Sequence, residues 1–187
     1  MRAFVALAVL PPALEQVESL AGQLSDTVPG VRWAPLETAH ITLHFFGQIS
    51  DQRVACAVQA LEPVFAGQPP IQLRLSGLGA FPSETRPRVL WCGVDGDTDS
   101  LRALGGRCSS TLASAGFAVD RRPFHPHCTL GRPSGLWAES ARERWIEAAS
   151  QHQSTDDFTA NVAVLYESLT GPMGARHLPR ITLPLRG

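Results

Sequence analysis

A short pattern of histidine, any residue and threonine occurs twice in this chain, and it constrains the fold more than any other feature. The two copies are His40-Ile41-Thr42 and His127-Cys128-Thr129. Each lies in a run of alternating polar and apolar residues, which is typical of a half-buried strand because successive strand side chains point to opposite faces. Each copy is also followed by a glycine, Gly47 or Gly131. Two strands that each present an imidazole beside a hydroxyl predict a shared cleft.

The alternation assigns the side chains of each copy to two faces. The polar face of the first copy is expected to carry His40, Thr42 and His44, and its apolar face Ile41, Leu43 and Phe45. The polar face of the second copy is expected to carry His125, His127 and Thr129, and its apolar face Pro126, Cys128 and Leu130.

Hydrophobic periodicity along the chain predicts helices alternating with short strands. Helical spacing covers residues 14–24, 54–61, 101–112 and 137–150, and Ser50 is a plausible N-cap of the second helix. Strands are predicted at 3–9, 31–34, 40–48, 71–78, 88–94, 117–119, 125–131, 158–169 and 175–185, the last two forming a hairpin around Gly171-Pro172. We therefore predict an α+β fold of two lobes related by a pseudo-twofold axis, in which two mostly antiparallel sheets face a central groove and the helices lie outside. Residues 1–187 are expected to form one bilobal domain, with the His40 motif in one lobe and the His127 motif in the other.

Composition narrows the class of protein. The 187 residues suffice for a sizeable core, and hydrophobic and charged fractions of 44% and 18% are those of a soluble globular protein. A net charge of −1 gives no global field for holding long nucleic acid. The four cysteines lack metal-finger spacing, which indicates free thiols in a reducing cytoplasm. No apolar run approaches the ~20 residues needed to cross a bilayer, so we expect no membrane partner. We also expect a cytoplasmic monomer without a protein partner.

The residue types in the repeated pattern suit phosphoryl chemistry. Histidine is the side chain best placed to exchange a proton near neutral pH, and threonine offers a hydroxyl to a phosphoryl oxygen. Two facing copies can hold one phosphate, with one imidazole activating a nucleophile and the other protonating the leaving oxygen. In-line displacement needs acid and base on opposite sides of phosphorus, which a pseudo-twofold axis supplies without a metal.

Longer runs around both copies resemble the signatures of the two-histidine (2H) phosphoesterase superfamily. The first is Arg32-Trp33-x-Pro35 followed by His40-Ile41-Thr42-Leu43-x-Phe45-Phe46-Gly47, and the second is Phe124-x-Pro126-His127-Cys128-Thr129-Leu130-Gly131-Arg132. Supporting segments are Arg2-x-Phe4-Val5-Ala6, Gly79-x-Phe81-Pro82, Arg88-Val89-Leu90-Trp91 and Leu165-x-Glu167-Ser168. The chain is thus similar, over essentially its whole length, to the bacterial and archaeal RNA 2′,3′-cyclic phosphodiesterases once named 2′-5′ RNA ligases.

This resemblance implies that His40 and His127 are catalytic and that Thr42 and Thr129 bind phosphate. The sequence departs from the family at Cys128, where an aliphatic residue is more common, and no loss of activity is expected because this position lies on the apolar face. It also departs at Leu36-Glu37-Thr38, where relatives often carry asparagine. The second departure leaves open what orients the first imidazole.

Three further residues are expected to contact substrate. Arg132 is positioned to clamp the phosphate or the next nucleotide, the alternative being a structural salt bridge. Phe46 is the better candidate for stacking on a base, since Phe45 falls on the apolar face, although a core position is its alternative. His125 is assigned to the phosphate pocket, with orientation of a neighbour or a surface position as alternatives.

The remaining histidines give only weak support to a metal site. His44 and His125 share faces with the proposed catalytic residues, but no nearby Asp, Glu or Cys has ligand spacing for zinc. We therefore expect no metal and no cofactor. His152 and His177 have no motif around them and are expected to be solvated.

The sequence predicts a metal-independent enzyme that hydrolyses a 2′,3′-cyclic phosphate, at an RNA end or on a nucleotide, to a 2′-phosphomonoester. Joining of RNA ends by 2′-5′ linkages in the same site is one alternative, allowed by microscopic reversibility. A module that binds RNA ends or nucleotides without turnover is another. Two imidazoles argue against the binding module, because Arg or Lys would serve binding alone better.

Overall fold

The computed structural model describes residues 1–171 and 174–187 of the chain. Its strands are β1 (Arg2–Ala8), β2 (Val31–Trp33), β3 (His40–Gln48), β4 (Ile71–Phe81), β5 (Val89–Gly96), β6 (His127–Pro133), β7 (Phe158–Ala160), β8 (Val162–Gly171) and β9 (Gly174–Pro184). Its α-helices are α1 (Ala13–Thr27), α2 (Asp51–Ala66), α3 (Thr98–Ser114) and α4 (Glu139–Gln151). A short 3-10 turn spans Leu36–Thr38. Among the described residues, no helix is long and apolar enough to cross a bilayer.

The strands form one antiparallel sheet with a symmetric order. The order is β7-β4-β5-β6-β3-β1-β8-β9, and β2 pairs with β6 beside it. The two motif strands, β6 and β3, are neighbours at the centre, and three strands follow each of them outward. The predicted α+β class is confirmed, and the two expected sheets are halves of one sheet that curls into a half-barrel.

The main hydrophobic core lies between the helices and one face of this sheet. Strand β1 illustrates the division, because Val5 and Leu7 belong to the main core whereas Phe4 and Ala6 belong to a small cluster on the other face. Each fully buried leucine or phenylalanine contributes roughly 1.5–3 kcal/mol relative to an exposed one. The helices cover the apolar face, so His40 and Thr42 of β3 and His127 and Thr129 of β6 are left for the opposite face.

Three predicted strands differ from the observed ones. Residues 117–119 form no strand, because the Phe117 amide donates to the Leu112 carbonyl at the end of α3 and is not free for a sheet ladder. Strand β6 begins at His127 and not at residue 125, since Pro126 has no amide hydrogen to donate to a ladder. The predicted strand 158–169 is two strands, which pair with β4 and β1 respectively. The predicted turn residue Pro172 lies outside the described residues.

Strand β3 has the predicted bounds but not the predicted faces. Ala6 of β1 pairs with Thr42, and Val5 pairs with His44, so that Leu43 is an extra residue in a β-bulge. The bulge reverses the alternation beyond this point. His44 is therefore buried at 7% exposure, whereas Phe45 is 48% exposed, the opposite of the prediction from simple alternation.

Candidate active site

The polar face of the central strands lines a cavity of about 710 Å³. Five of the predicted site residues lie on its wall: His40, Thr42, His127, Thr129 and Arg132. The threonines are half-buried, as are the two histidines. The structure thus brings together the two copies of the repeated pattern and the arginine that follows the second.

The pairing of β3 with β6 fixes how the two copies face one another. Ile41 lies directly opposite Cys128 in this antiparallel pair, and both side chains are fully buried in the core. A twofold axis through such a pair relates His40 to His127. The two histidines are then diagonal neighbours across the ladder, which places their backbones about 7–8 Å apart. This spacing leaves room for one phosphate between the rings.

A main-chain carbonyl two residues earlier in the chain orients each imidazole. The Nδ1 atom of His40 donates to the Thr38 carbonyl at 2.7 Å, and that of His127 donates to the His125 carbonyl at 2.8 Å. In the neutral rings these bonds leave Nε2 as the proton acceptor. The first imidazole is therefore oriented by a carbonyl from the segment in which the sequence lacks the asparagine of its relatives.

Aromatic rings pack around each imidazole. The His40 ring lies 4.7 Å from Phe4 and 5.5 Å from Tyr166, measured between centroids. The His127 ring lies 5.0 Å from Phe81, edge to face, and 6.3 Å from Trp91. These contacts restrict ring rotation and exclude water from one side of each histidine.

Burial keeps both imidazoles neutral before a ligand is present. It lowers the pKa of His40 to about 4, an effect that the Thr38 carbonyl partly opposes and that the nearby His177 and His127 reinforce. Burial also lowers the pKa of His127, an effect that the hydrogen bond to the His125 carbonyl partly opposes and that the His125 ring and Arg132 reinforce. A neutral imidazole can accept a proton at pH 7, whereas a second, protonated one requires a nearby anion.

Arginines give the cavity a positive charge. Arg2, Arg32, Arg122 and Arg132 line it, and no acidic side chain does so among the described residues. Arg122 is paired with Asp120 at 2.5 Å, whereas the other three form no salt bridge within the part of the chain that the structure describes. The cavity is therefore suited to an anionic ligand.

Comparison with known proteins agrees with this geometry. The sequence model of the 2′-5′ RNA ligase superfamily matches residues 9–171. The chain belongs to this superfamily. A protein of Archaeoglobus fulgidus named RNA 2′,3′-cyclic phosphodiesterase is 35% identical over 132 residues, which cover 71% of this chain and 72% of that protein.

Other relatives with the same name are matched over a smaller part of their length. The one from Geobacillus stearothermophilus is 35% identical over 129 residues, 69% of this chain and 41% of that protein. The one from Aeropyrum pernix is 41% identical over 99 residues, 53% of this chain and 55% of that protein. The chain therefore spans about half the length of these two relatives.

Solved structures share the whole fold. The crystal structure of TT0787 from Thermus thermophilus has a TM-score of 0.80 at 20% identity and covers 100% of this chain and 99% of its own. E. coli LigT complexed with 3′-AMP has a TM-score of 0.76 at 24% identity and covers 100% and 98%. These likenesses establish the 2′-5′ RNA ligase fold for the entire chain.

His177 is among the cavity residues that sequence reasoning does not predict. His177 was expected to be solvated, but it lines the cavity and meets the His40 ring edge to face at 5.2 Å. It arrives there because β9 pairs with β8, where His177 lies opposite Ser168. Its Nδ1 is buried and has no hydrogen-bond partner among the described residues. No sequence motif marks this residue, and only the hairpin register places it.

Two predicted substrate contacts are not on the cavity wall. The first is Phe46, which packs against His44 at 4.6 Å and Phe117 at 5.5 Å on the core side, because the bulge at Leu43 reverses the alternation before it. Phe45 faces the cavity in its place, with the Arg2 guanidinium 4.9 Å from its ring centroid. The stacking prediction for Phe46 is therefore wrong in its placement.

The second predicted substrate contact that is not on the cavity wall is His125. The position of His152 also differs from the prediction. The His125 ring does not line the cavity and packs edge to face on Phe81 and Trp91, so this residue contributes its carbonyl and not its side chain to the site. His152 is half-buried, with Nε2 3.6 Å from the Cys92 sulfur.

Zinc binding is an alternative raised by the sequence, and the positions of possible zinc ligands can be compared with it. Within residues 1–171 and 174–187, no three His, Cys, Asp or Glu side chains form a group that could hold a metal ion. The bulge contributes to this result because it turns His44 into the core, away from His40. All four cysteines are free, and three of them are buried.

Proposed function

We propose that this chain hydrolyses the 2′,3′-cyclic phosphate of an RNA end or nucleotide to a 2′-phosphomonoester. One observation carries the proposal: two imidazoles, each oriented by its own carbonyl, flank a local twofold axis in a single positive cavity. Relatives named RNA 2′,3′-cyclic phosphodiesterase support the choice of substrate.

The reaction follows from the positions of the four motif residues. Thr42 and Thr129 donate hydroxyl hydrogen bonds to the non-bridging oxygens of the phosphate. One imidazole takes a proton from water as the new bond to phosphorus forms. The other imidazole, in its protonated form, gives a proton to O3′ as the P–O3′ bond breaks. Each proton transfer typically contributes ~10² to 10⁴ in rate.

Substrate binding supplies the acid. Both imidazoles have a lowered pKa in the free protein because they are buried. The negative charge of a bound phosphodiester raises the pKa of a nearby imidazolium, so one ring can become protonated on binding. The structure has no glutamate or aspartate on the described cavity wall that would play this part.

The proposal is tested with a 2′,3′-cyclic mononucleotide in the presence of EDTA, with ³¹P NMR to identify the product. We expect a 2′-phosphomonoester from the wild-type chain. His40→Ala and His127→Ala should each lower kcat by ~10² or more while the substrate still binds, and the double variant should be no worse than either single one. Thr42→Ala and Thr129→Ala should cost about 1–3 kcal/mol each in transition-state binding.

His152→Ala is the matched control, because this half-buried histidine lies outside the cavity and should leave kcat within a few-fold of wild type. Near-wild-type turnover in either His40→Ala or His127→Ala would contradict the mechanism. Binding of the cyclic nucleotide without any product would instead support a binding module. Loss of turnover in EDTA with recovery on adding zinc or manganese would support a metal site.

The free-enzyme pKa values also predict where the enzyme works. The kcat/KM profile reports ionisations of the free enzyme, and the pKa of each catalytic histidine lies below the ordinary value of 6.5. We therefore expect a bell-shaped profile with both limbs below pH 6.5, and a kcat profile displaced to higher pH by the bound anion. Steady-state kinetics between pH 4 and 9 measure both. A kcat/KM optimum above pH 7.5 would contradict this account.

A further inference from the structure

A third imidazole lies in the cavity beside the two motif histidines. His177 of β9 lines the cavity and meets the His40 ring at 5.2 Å and the Phe4 ring at 5.0 Å, edge to face in both cases. The β8–β9 ladder holds it there, with Ser168 directly opposite. The proposed reaction uses His40 and His127 as acid and base, and it leaves this third ring without a role.

The two ring nitrogens of His177 have different surroundings. Nδ1 is buried and has no hydrogen-bond partner among the described residues, and even Ser168, across the ladder, does not reach it. Nε2 is not buried in this way, although the residue lines the cavity. Nε2 is therefore the ring nitrogen that opens to the cavity.

This difference determines which nitrogen carries the proton. Burial lowers the pKa of His177 and Arg132 lowers it further, so the ring is neutral at pH 7 and has a single N–H group. A proton on Nδ1 would bury an N–H group without an acceptor, which costs the desolvation of that donor. It would also leave a lone pair at Nε2, which repels an anion in the cavity. A proton on Nε2 avoids both penalties, and this tautomer is the opposite of the one in His40 and His127, whose Nδ1 atoms donate to carbonyls.

The position of the ring brings this donor to the reacting phosphate. His177 contacts His40, and the Arg132 guanidinium lies close enough to lower the pKa of both His177 and His127. A phosphate between the two motif histidines is therefore next to the third ring as well. We propose that His177 is a substrate-binding residue, whose Nε2–H group donates a hydrogen bond to a non-bridging oxygen of the phosphate. The inference rests on the function proposed above, and it adds a donor that exchanges no proton during the reaction.

A donor in this position acts on the transition state as well as on binding. The β8–β9 ladder fixes the backbone of His177, and the rings of Phe4 and His40 restrict its side chain. Donors that are preorganised around a transferring phosphoryl group stabilise its charge without rearrangement. Loss of this hydrogen bond should therefore cost about tenfold or more, both in kcat/KM and in affinity for inorganic phosphate, the effect of one charge-assisted hydrogen bond.

Nitrogen NMR of the imidazole rings tests the donor without any turnover. In the ¹⁵N-labelled chain at pH 7.5, we expect the proton of His177 on Nε2 and the protons of His40 and His127 on Nδ1. Inorganic phosphate is the probe for the anion, and its addition should shift the Nε2 resonance of His177. A proton on Nδ1 of His177, or an Nε2 resonance that does not respond to phosphate, would overturn the inference.

Two substitutions distinguish a hydrogen-bond donor from a residue that only packs on His40. His177→Phe keeps the aromatic contact but removes the donor. It should raise the Kd of inorganic phosphate and lower kcat/KM for a 2′,3′-cyclic mononucleotide, each by about tenfold or more. His177→Gln places an amide N–H group near the position of Nε2 and should retain part of both. His152→Phe is the matched control, because this half-buried histidine lies outside the cavity, and both values should stay within a few-fold of wild type.

The outcomes separate this inference from the proposed function. A His177→Phe variant that is folded by its thermal melt and has the phosphate Kd of wild type would overturn the inference, even if the wild-type chain hydrolyses the cyclic nucleotide. Absence of hydrolysis by a wild-type chain whose His177 Nε2 responds to phosphate would instead refute the proposed function and support the donor. The two failures are therefore distinguishable.

Discussion

At the scale of single residues, the orientation of the two imidazoles proposed to be catalytic depends on groups that do not titrate. The Thr38 and His125 carbonyls accept from Nδ1 of His40 and His127, and a carbonyl keeps this role at any pH. The neutral rings therefore keep the same tautomer, with Nε2 as the proton acceptor. A carboxylate in the same place would raise the pKa of the ring and would lose its effect in acid.

The contact between His177 and His40 leads to a prediction about ionisation. His177→Phe keeps an aromatic ring edge to face with His40 but removes an ionisable group that lowers the pKa of His40. We expect the pKa of His40 to rise, as measured by NMR titration of its ring. His152→Phe should leave that pKa unchanged, since His152 lies beside Cys92 and is not among the groups that shift the pKa of His40. An unaltered His40 titration in His177→Phe would contradict the assigned contact.

The near symmetry of the two imidazoles leads to a second prediction, which assigns the acid. A substrate with sulfur in place of O3′ has a leaving group of pKa about 8.5 that departs without a proton. The alanine variant of the acid should then recover about 10² of its lost rate, and the alanine variant of the base should not. Rates of His40→Ala and His127→Ala on the oxygen and sulfur substrates measure this. Recovery of both variants, or of neither, would contradict a divided acid and base.

The sequence predicts the four motif residues of the cavity better than it predicts their surroundings. His40, Thr42, His127 and Thr129 are marked by a repeat, and the cavity contains all four. Thr38 orients His40 through its main-chain carbonyl, a group that every residue type has. The residue type at this position therefore does not predict its role. The position of His177 on β9, next to His40, could not be predicted either, because it depends on pairing with β8 and not on local spacing.

At the scale of elements, the central strand shows what a pattern can and cannot predict. The bounds of β3, residues 40–48, agree with the alternation of its residues. Its faces are correct as far as Thr42 and reversed from His44, because the bulge is set by register with β1. The alternation of residues within β3 does not indicate the register with its partner strand, so the exposure of Phe45 could not be inferred.

The β4–β5 hairpin supports His127 and provides a test at this scale. A Cβ atom on Gly79 would lie 2.3 Å from the Trp91 ring, which packs with Phe81 behind His127. Gly79→Ala should therefore displace this ring, lower stability by about 1–3 kcal/mol and reduce kcat. Denaturant unfolding and steady-state kinetics measure the two effects.

Gly106→Ala is the control for this substitution. Gly106 lies on α3 with no atom within 4 Å of a Cβ, so alanine should raise stability by roughly 0.5–1 kcal/mol and leave kcat unchanged. A Gly79→Ala variant with the stability and activity of wild type would show that Trp91 does not support His127.

At the scale of the whole molecule, the buried imidazoles make stability depend on pH. His40 has a pKa of about 4 when folded and 6.5 when unfolded, so the unfolded chain binds more protons between these values. The free energy of unfolding therefore falls as pH drops from about 6.5 to 4, by about 3 kcal/mol for this residue. His40→Gln should remove that part of the slope. Urea unfolding of both proteins at pH 7 and pH 4.5 measures the difference, and parallel slopes would contradict the low folded pKa.

The overall symmetry was predictable, but the continuity of the sheet was not. Two copies of one pattern predict a pseudo-twofold arrangement, and the strand order has this symmetry. The contact between Ile41 and Cys128 joins residues 87 positions apart, and alternation does not indicate which strands are neighbours. The two predicted sheets are therefore joined at the centre into one continuous sheet.

That contact also determines how the protein should move during turnover. Because the histidines lie on adjacent strands of one sheet, backbone hydrogen bonding fixes the spacing between them, and no closure of one half on the other is needed to assemble the site. The entropy of bringing acid and base together is lost once, during folding, and not in each catalytic cycle. We therefore expect kcat to be insensitive to solvent viscosity and limited by the chemical step, unlike enzymes whose lids open and close in each cycle.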